Sequence, residues 1–217
     1  MKQDTPLGSR IAEVHNGSSL FTGDAGSGES NARRYMIEND MVEAVIALPE
    51  KMFYNTGIGT FIWVLSNRKE ERRKGKIQLI DATAIKTPLR KNMGEKNCEL
   101  SPAQRQEIVR IFMAFEESEI SKIFPNSEFG YWKVSVQQPL LDEQGNPVRD
   151  KKGRIQPDKS KSDTEIIPFN YEGGIEAFMD AEVRPYAPGA FVDPKGTKIG
   201  YELSFTKYFY KPVQLRP

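Results

Sequence analysis

The chain has 217 residues, 38% hydrophobic and 28% charged, with 31 basic side chains against 30 acidic ones; that supports one sizeable domain, or a domain with an appendage, and excludes a protein that binds polyanions through overall charge. A single cysteine, Cys98, and a single histidine, His15, exclude an intrachain disulfide and a zinc site built from Cys and His, so no metal is expected. No apolar run approaches the ~20 residues that span a bilayer, and residues 1–10 lack a secretory apolar core, which predicts a soluble, cytoplasmic protein without membrane contact.

Residues Arg10–Asn16 (RIAEVHN) read as a strand that stops at Gly17 and two serines. A glycine-rich loop over residues 21–30 then leads into a helix over residues 32–38. Residues 41–48 form a nearly continuous apolar run ended by Pro49, the pattern of a strand buried on both faces. A second such run, residues 60–65, follows too soon for a helical crossover, so the two are predicted to be antiparallel neighbours joined by residues 49–59. Lys76–Asp81 (KIQLID) is a further short strand. A strand, helix, strand unit closed by an antiparallel hairpin is how a doubly wound α/β domain ends, so the earlier half of such a domain is expected to precede Met1.

Beyond residue 90 the texture changes. Ser101 and Pro102, with Gln104 and Glu107, open a helix that carries Ile108, Ile111, Phe112 and Phe115 at helical spacing. Residues 129–136 (FGYWKVSV) alternate as a half-buried strand does. Asp142 to Gly145 and Asp150 to Gly153 mark two tight turns in a meander of hairpins. Residues 159–163 read as a polar, mobile stretch, residues 174–183 as a short helix, and residues 200–210 (GYELSFTKYFY) as an aromatic-rich strand or extended segment before a proline-bearing end.

Each motif carries two readings. The loop Gly23-Asp-Ala-Gly-Ser-Gly28 before a helix invites a phosphate-cradle reading, yet it lacks the Lys-Ser/Thr ending of a P-loop and the dinucleotide spacing, which favours a flexible connection with Ser27 or Ser30 near the cap. Phe53 and Tyr54, beside Asn55-Thr-Gly57, exceed what a plain hairpin needs; they are core packing, or the apolar wall that holds a base taken out of the stack. The basic run over residues 68–76, with Arg68, Lys69, Arg72, Arg73 and Lys74, is either a solvated loop or a set of DNA-backbone contacts. Tyr201, Phe205, Tyr208, Phe209 and Tyr210 read as packing or as a stacking platform, and His15 and Cys98, without partners at a defined spacing, read as structural.

Taken together, Ser9-Arg-Ile-Ala, the segment His15-Asn-Gly-Ser-Ser-Leu-Phe-Thr-Gly-Asp-Ala-Gly-Ser-Gly-Glu-Ser30, Arg33-Arg-Tyr-Met-Ile-Glu-Asn-Asp, Ala47-Leu-Pro and Phe53-Tyr-Asn-Thr-Gly-Ile58 resemble the modification subunits of type I restriction–modification systems. The likeness continues through Trp63-Val-Leu-Ser-Asn-Arg-Lys, residues 75–82 and the tail over residues 198–210. It implies the C-terminal half of a Rossmann-like methyltransferase sheet over residues 1–90, a helical connection over 91–128, and a β-hairpin-rich extension over 129–217. It also implies an adenine-specific DNA methyltransferase that takes its methyl group from S-adenosylmethionine and works with a specificity subunit, a restriction subunit and a second modification subunit.

In that family a glycine motif near the first strand binds the donor and an Asn-Pro-Pro-aromatic tetrad holds the flipped adenine. Neither is found in these 217 residues, so no catalytic residue is expected in this chain and the chain alone is expected to be inactive. Phe53 matches the family's aromatic against the flipped base, which makes Phe53, Tyr54 and Asn55 the base-pocket candidates. The alternative is a non-catalytic module for DNA contact or subunit assembly.

Overall fold

The computed structural model describes residues 1, 4–6 and 8–210; the proline-bearing end, 211–217, lies outside the described residues. In chain order the elements are β1 (Arg10–Asn16), α1 (Ser18–Phe21), α2 (Gly28–Glu38), β2 (Val42–Ala47), β3 (Thr60–Ser66), β4 (Lys76–Asp81), β5 (Thr87–Met93), β6 (Lys96–Glu99), α3 (Pro102–Ala114), β7 (Ser121–Pro125), β8 (Gly130–Pro139), β9 (Pro157–Pro168), α4 (Gly174–Phe178), β10 (Phe191–Tyr201) and α5 (Phe205–Phe209). The protein is mixed α/β and divides into two compact units. The first holds Met1–Thr22, Ala32–Asn126 and the residues from Glu202 on; the second holds Gly23–Asn31 and Ser127–Tyr201.

The first unit is built on a five-stranded sheet in the order β1-β3-β2-β4-β7. β2 and β4 pair in parallel, while β3 runs antiparallel between β1 and β2, and β7 runs antiparallel to β4. The apolar run of residues 42–47 forms the strand buried on both faces that its composition predicts. β1, by contrast, is exposed along its whole length and pairs only with β3. One face of the sheet carries Ala44, Ile46, Val64 and Ile80 against Ile108 and Phe112 of α3, a hydrophobic core of this unit. α3 starts where its sequence says: Ser101 accepts from the Gln104 N–H, and the Gln104 side chain accepts from the Ser101 N–H, a complete capping box with Pro102 in the first turn. A two-stranded hairpin, β5 and β6, completes the unit. Residues 91–128, expected as a helical connection, thus hold β6 and β7 as well as α3.

The second unit is a three-stranded antiparallel sheet in the order β10-β8-β9, with Val134, Val136, Ile167, Met179 and Ala190 as its core. The two turns at Asp142 and Asp150 form as predicted, each aspartate accepting backbone N–H groups two and four residues on. Residues 159–163 are not an irregular stretch but part of β9. Ser162 and Asp163 pair with Gln137 and Val136, and the ladder to β8 overrides the low strand propensity of Lys, Ser and Asp on an exposed edge. Residues 200–210 are likewise not one extended segment: β10 ends at Tyr201 and Phe205–Phe209 is helical.

Candidate functional site

The carboxyl ends of the parallel strands come together at one edge of the five-stranded sheet. Ala47 of β2 stands beside both Phe61 of β3 and Asp81 of β4, and Asn16 of β1 beside Thr60. Crevices beyond such strand ends are where open α/β sheets hold ligands. The connection over residues 49–59 leaves from this edge and presents three large apolar side chains to solvent, Phe53 (36% exposed), Tyr54 (57%) and Ile58 (56%).

Phe53 and Met52 line an apolar groove of about 540 Å³ between the sheet and α3, with Ala12, Ile62, Val64 and Ile108 among its walls. Tyr54 turns elsewhere: its hydroxyl donates to the Met93 sulfur (3.4 Å), and the Lys96 ammonium lies 5.8 Å from its ring centroid. Asn55 adopts a left-handed backbone (φ 54°), which asparagine tolerates, so its place in the motif is accounted for by the turn. The three base-pocket candidates are adjacent in sequence but do not converge on one cavity. A second cavity of about 400 Å³ lies at the strand ends themselves, between Ala47, Phe61 and Asp81 and the α5 rings of Phe205 and Phe209.

The β5–β6 hairpin, which sequence reasoning missed, braces this loop. The Asn97 N–H donates to the Lys51 carbonyl (3.0 Å), and the Cys98 thiol, itself buried, donates to the Glu50 carbonyl (3.3 Å). The only local signal for the hairpin is Gly94 at its turn, with φ 63°. Its strands carry Lys, Arg and Asn with no apolar alternation to betray them.

The basic cluster corrects an expectation. Lys69 and Arg73 do not present their charges to a phosphate: both are buried. Lys69 donates to Asp40 (2.6 Å) and to the Lys76 carbonyl (2.8 Å). Burial pushes the Asp40 carboxyl up, but donation from Lys69, the Gly75 N–H and Asn126 outweighs it and holds Asp40 below the ordinary carboxylate range. Arg73 donates to the Phe112 carbonyl and to Gln78, with its guanidinium 4.3 Å from the ring centroids of both Phe112 and Phe115.

Arg72 donates to the Met113 (2.7 Å) and Ala114 (3.0 Å) carbonyls, and Gln78 to that of Ile111 (3.2 Å). The last four carbonyls of α3 are therefore met by side chains from the β3–β4 connection and β4, with the Phe115 N–H also donating to that of Ile111, and two cations sit at the negative end of the dipole. Arg68 and Lys74 are exposed, yet Arg68 donates to the Pro6 carbonyl and Lys74 pairs with Glu71.

The aromatic tail packs. Phe205 meets Phe61 edge-on at 5.3 Å and stacks on Phe209 at 4.9 Å, and Tyr208 lies 4.3 Å from Phe124. His15 is half exposed on β1, 3.5 Å from Glu13. Among the described residues no three His, Cys, Asp or Glu side chains form a metal-ligand set, and no helix is long and apolar enough to cross a membrane.

Residues 3–134 match the family of N-6 DNA methylases. The chain belongs to that family. Its likeness to type I modification subunits is borne out by the methylase subunits of two type I restriction enzymes of Methanocaldococcus jannaschii. MjaVIII is 35% identical over 106 residues, 48% of this chain and 17% of that one; MjaIX is 32% identical over 112 residues, 52% and 19%. The chain thus spans under a fifth of the length of these relatives. A methyltransferase subunit of a type I restriction–modification system from Streptococcus thermophilus superposes with a TM-score of 0.48 and 23% identity, over 59% of this chain and 25% of that one.

Within this N-6 DNA methylase chain the match takes in the whole exposed loop, its bracing hairpin and α3, and ends inside β8. The glycine-rich loop is held by its own hydrogen bonds. Three amides after Asp24 are engaged within the loop, Ala25 on the Asp24 carboxylate (2.9 Å), Ser27 on the Asp24 carbonyl (2.8 Å) and Ser30 on the Ser27 hydroxyl (3.4 Å), and the Asp24 carboxylate pairs with Lys133 at 2.6 Å. Gly23, with φ 92°, is needed because a Cβ there would lie 2.3 Å from the Ser27 hydroxyl.

Proposed function

We propose that this chain is part of the modification subunit of a type I restriction–modification system, an adenine-specific DNA methyltransferase that uses S-adenosylmethionine. In this reading it works in the cytoplasm with DNA, a specificity subunit, a restriction subunit and a second modification subunit. Residues 1–90 close the Rossmann-like catalytic sheet, and the C-terminal region serves assembly.

The observation that carries the reading is the exposed loop of residues 49–59, with Phe53 and Tyr54 open to solvent where an antiparallel strand enters beside the parallel ones. A base-modifying enzyme has to hold the extruded base against apolar or aromatic faces. Phe53 supplies such a face, with Tyr54 flanking it. In this reading chemistry and donor binding belong to residues that this stretch does not contain, since it holds neither an Asn-Pro-Pro run nor the family's donor-binding glycine motif.

In the full-length subunit, Phe53→Ala is expected to lower methylation turnover by about 5- to 150-fold with donor affinity unchanged, the equivalent of ~1 to 3 kcal/mol of base stacking. Unchanged turnover would remove Phe53 from the site. Titration calorimetry of the chain itself with S-adenosylmethionine is expected to register no heat, and micromolar binding would contradict the division of labour.

A further inference from the structure

The run in which the sequence concentrates its cations is engaged within the chain, and cations free to meet a polyanion lie elsewhere. Among the described residues Lys86, Arg90 and Lys91 are exposed and make no ion pair or side-chain hydrogen bond, whereas each of Arg68, Lys69, Arg72, Arg73 and Lys74 is engaged with a carbonyl or carboxylate of the chain. Residues 86–99 carry four cations against two carboxylates in a chain of net charge +1, so this hairpin is a local excess of positive charge. It is fixed to the Phe53 loop rather than merely near it. Two hydrogen bonds join Asn97 and Cys98 to the loop backbone, and Met93 and Lys96 both meet Tyr54.

We propose that the β5–β6 hairpin is the phosphate-contacting element of this chain, gripping the DNA backbone beside the base that the Phe53 loop receives. This rests on the reading of the chain as part of a DNA methyltransferase. The argument is one of position. Phosphate contacts set register on a duplex without reading sequence, and an extruded base is productive only if its own backbone is held at a fixed distance from the stacking face. A rigidly braced hairpin carrying unpaired Lys and Arg does both. An acidic protein surface is the rival partner for the same charges.

The test is fluorescence anisotropy of this chain on a short labelled duplex, titrated between about 50 and 200 mM salt. Each phosphate neutralised contributes about 0.9 to the slope of log affinity on log salt. The triple variant K86A/R90A/K91A is therefore expected to bind more weakly and to lose about 2 to 3 from that slope. Arg68→Ala combined with Lys74→Ala is expected to leave the slope intact. The charge reversals Lys86→Glu and Lys91→Glu should weaken binding further, with an unchanged far-ultraviolet circular dichroism spectrum as evidence of folding.

The proposal is overturned if the unsubstituted chain does not bind duplex, if the triple variant keeps the full slope, or if the slope is lost from the 68–74 variant instead. Hairpin-dependent binding to poly-glutamate without binding to DNA overturns it in favour of an acidic protein partner. Full salt dependence in the hairpin variant with turnover still lost in Phe53→Ala breaks this inference alone; the converse breaks the base-pocket reading alone.

Discussion

The cations of residues 68–74 and those of residues 86–91 look alike in sequence and are opposite in the folded chain. The first group lies against the exposed carbonyls at the end of α3 and the carboxylates of Asp40 and Glu71, and holds the β3–β4 connection in place. The second group lies on a hairpin whose neighbours offer it no acceptor. Charge density is therefore a poor guide to what a basic segment binds; the supply of unsatisfied acceptors nearby decides it.

Substitutions sharpen this contrast in order of effect. The largest is expected for Asp40→Ala, which strands the Lys69 ammonium in the interior and should cost about 3 to 5 kcal/mol in urea unfolding. The same pair makes stability depend on pH. Asp40 has its folded-state pKa depressed, so the stability it contributes is present above the ordinary carboxylate pKa and is lost as pH falls through the lower folded value; Asp40→Ala should flatten that acid limb. Arg73→Ala removes a buried guanidinium from two phenyl rings and a helix carbonyl, and about 2 to 3 kcal/mol is expected. Arg72→Ala exposes the Met113 and Ala114 carbonyls to water at about 1 kcal/mol. The triple hairpin variant should stay within about 0.5 kcal/mol of the parent; a larger loss would mean that its cations are structural as well.

What was legible in the sequence was what local chemistry writes. The capping box at Ser101, the uninterrupted apolar run of β2 and the aspartate turns at Asp142 and Asp150 each satisfy their own backbone groups within a few residues, so sequence alone suffices. The hairpin of β5 and β6, the strand over residues 157–168 and the helix at Phe205 depend on partners far away in the chain. Ser162 is a strand residue because Gln137 lies opposite, and Phe205 is buried because Phe61 is there to meet it. The candidate loop was found from Phe53 and Tyr54, but its brace was not, because Met93, Lys96 and Cys98 carry no pattern until the fold places them on it.

The contrast between the two basic segments is tested most directly by lysine reactivity. Brief acetylation of the chain, read residue by residue by mass spectrometry, should leave Lys69 unmodified while Lys86 and Lys91 react at the rate of free side chains, with Lys74 between them. Added duplex DNA should then slow Lys86 and Lys91 and leave Lys74 unchanged. Equal reactivity of Lys69 and Lys86, or protection by DNA at Lys74 rather than on the hairpin, would contradict the account.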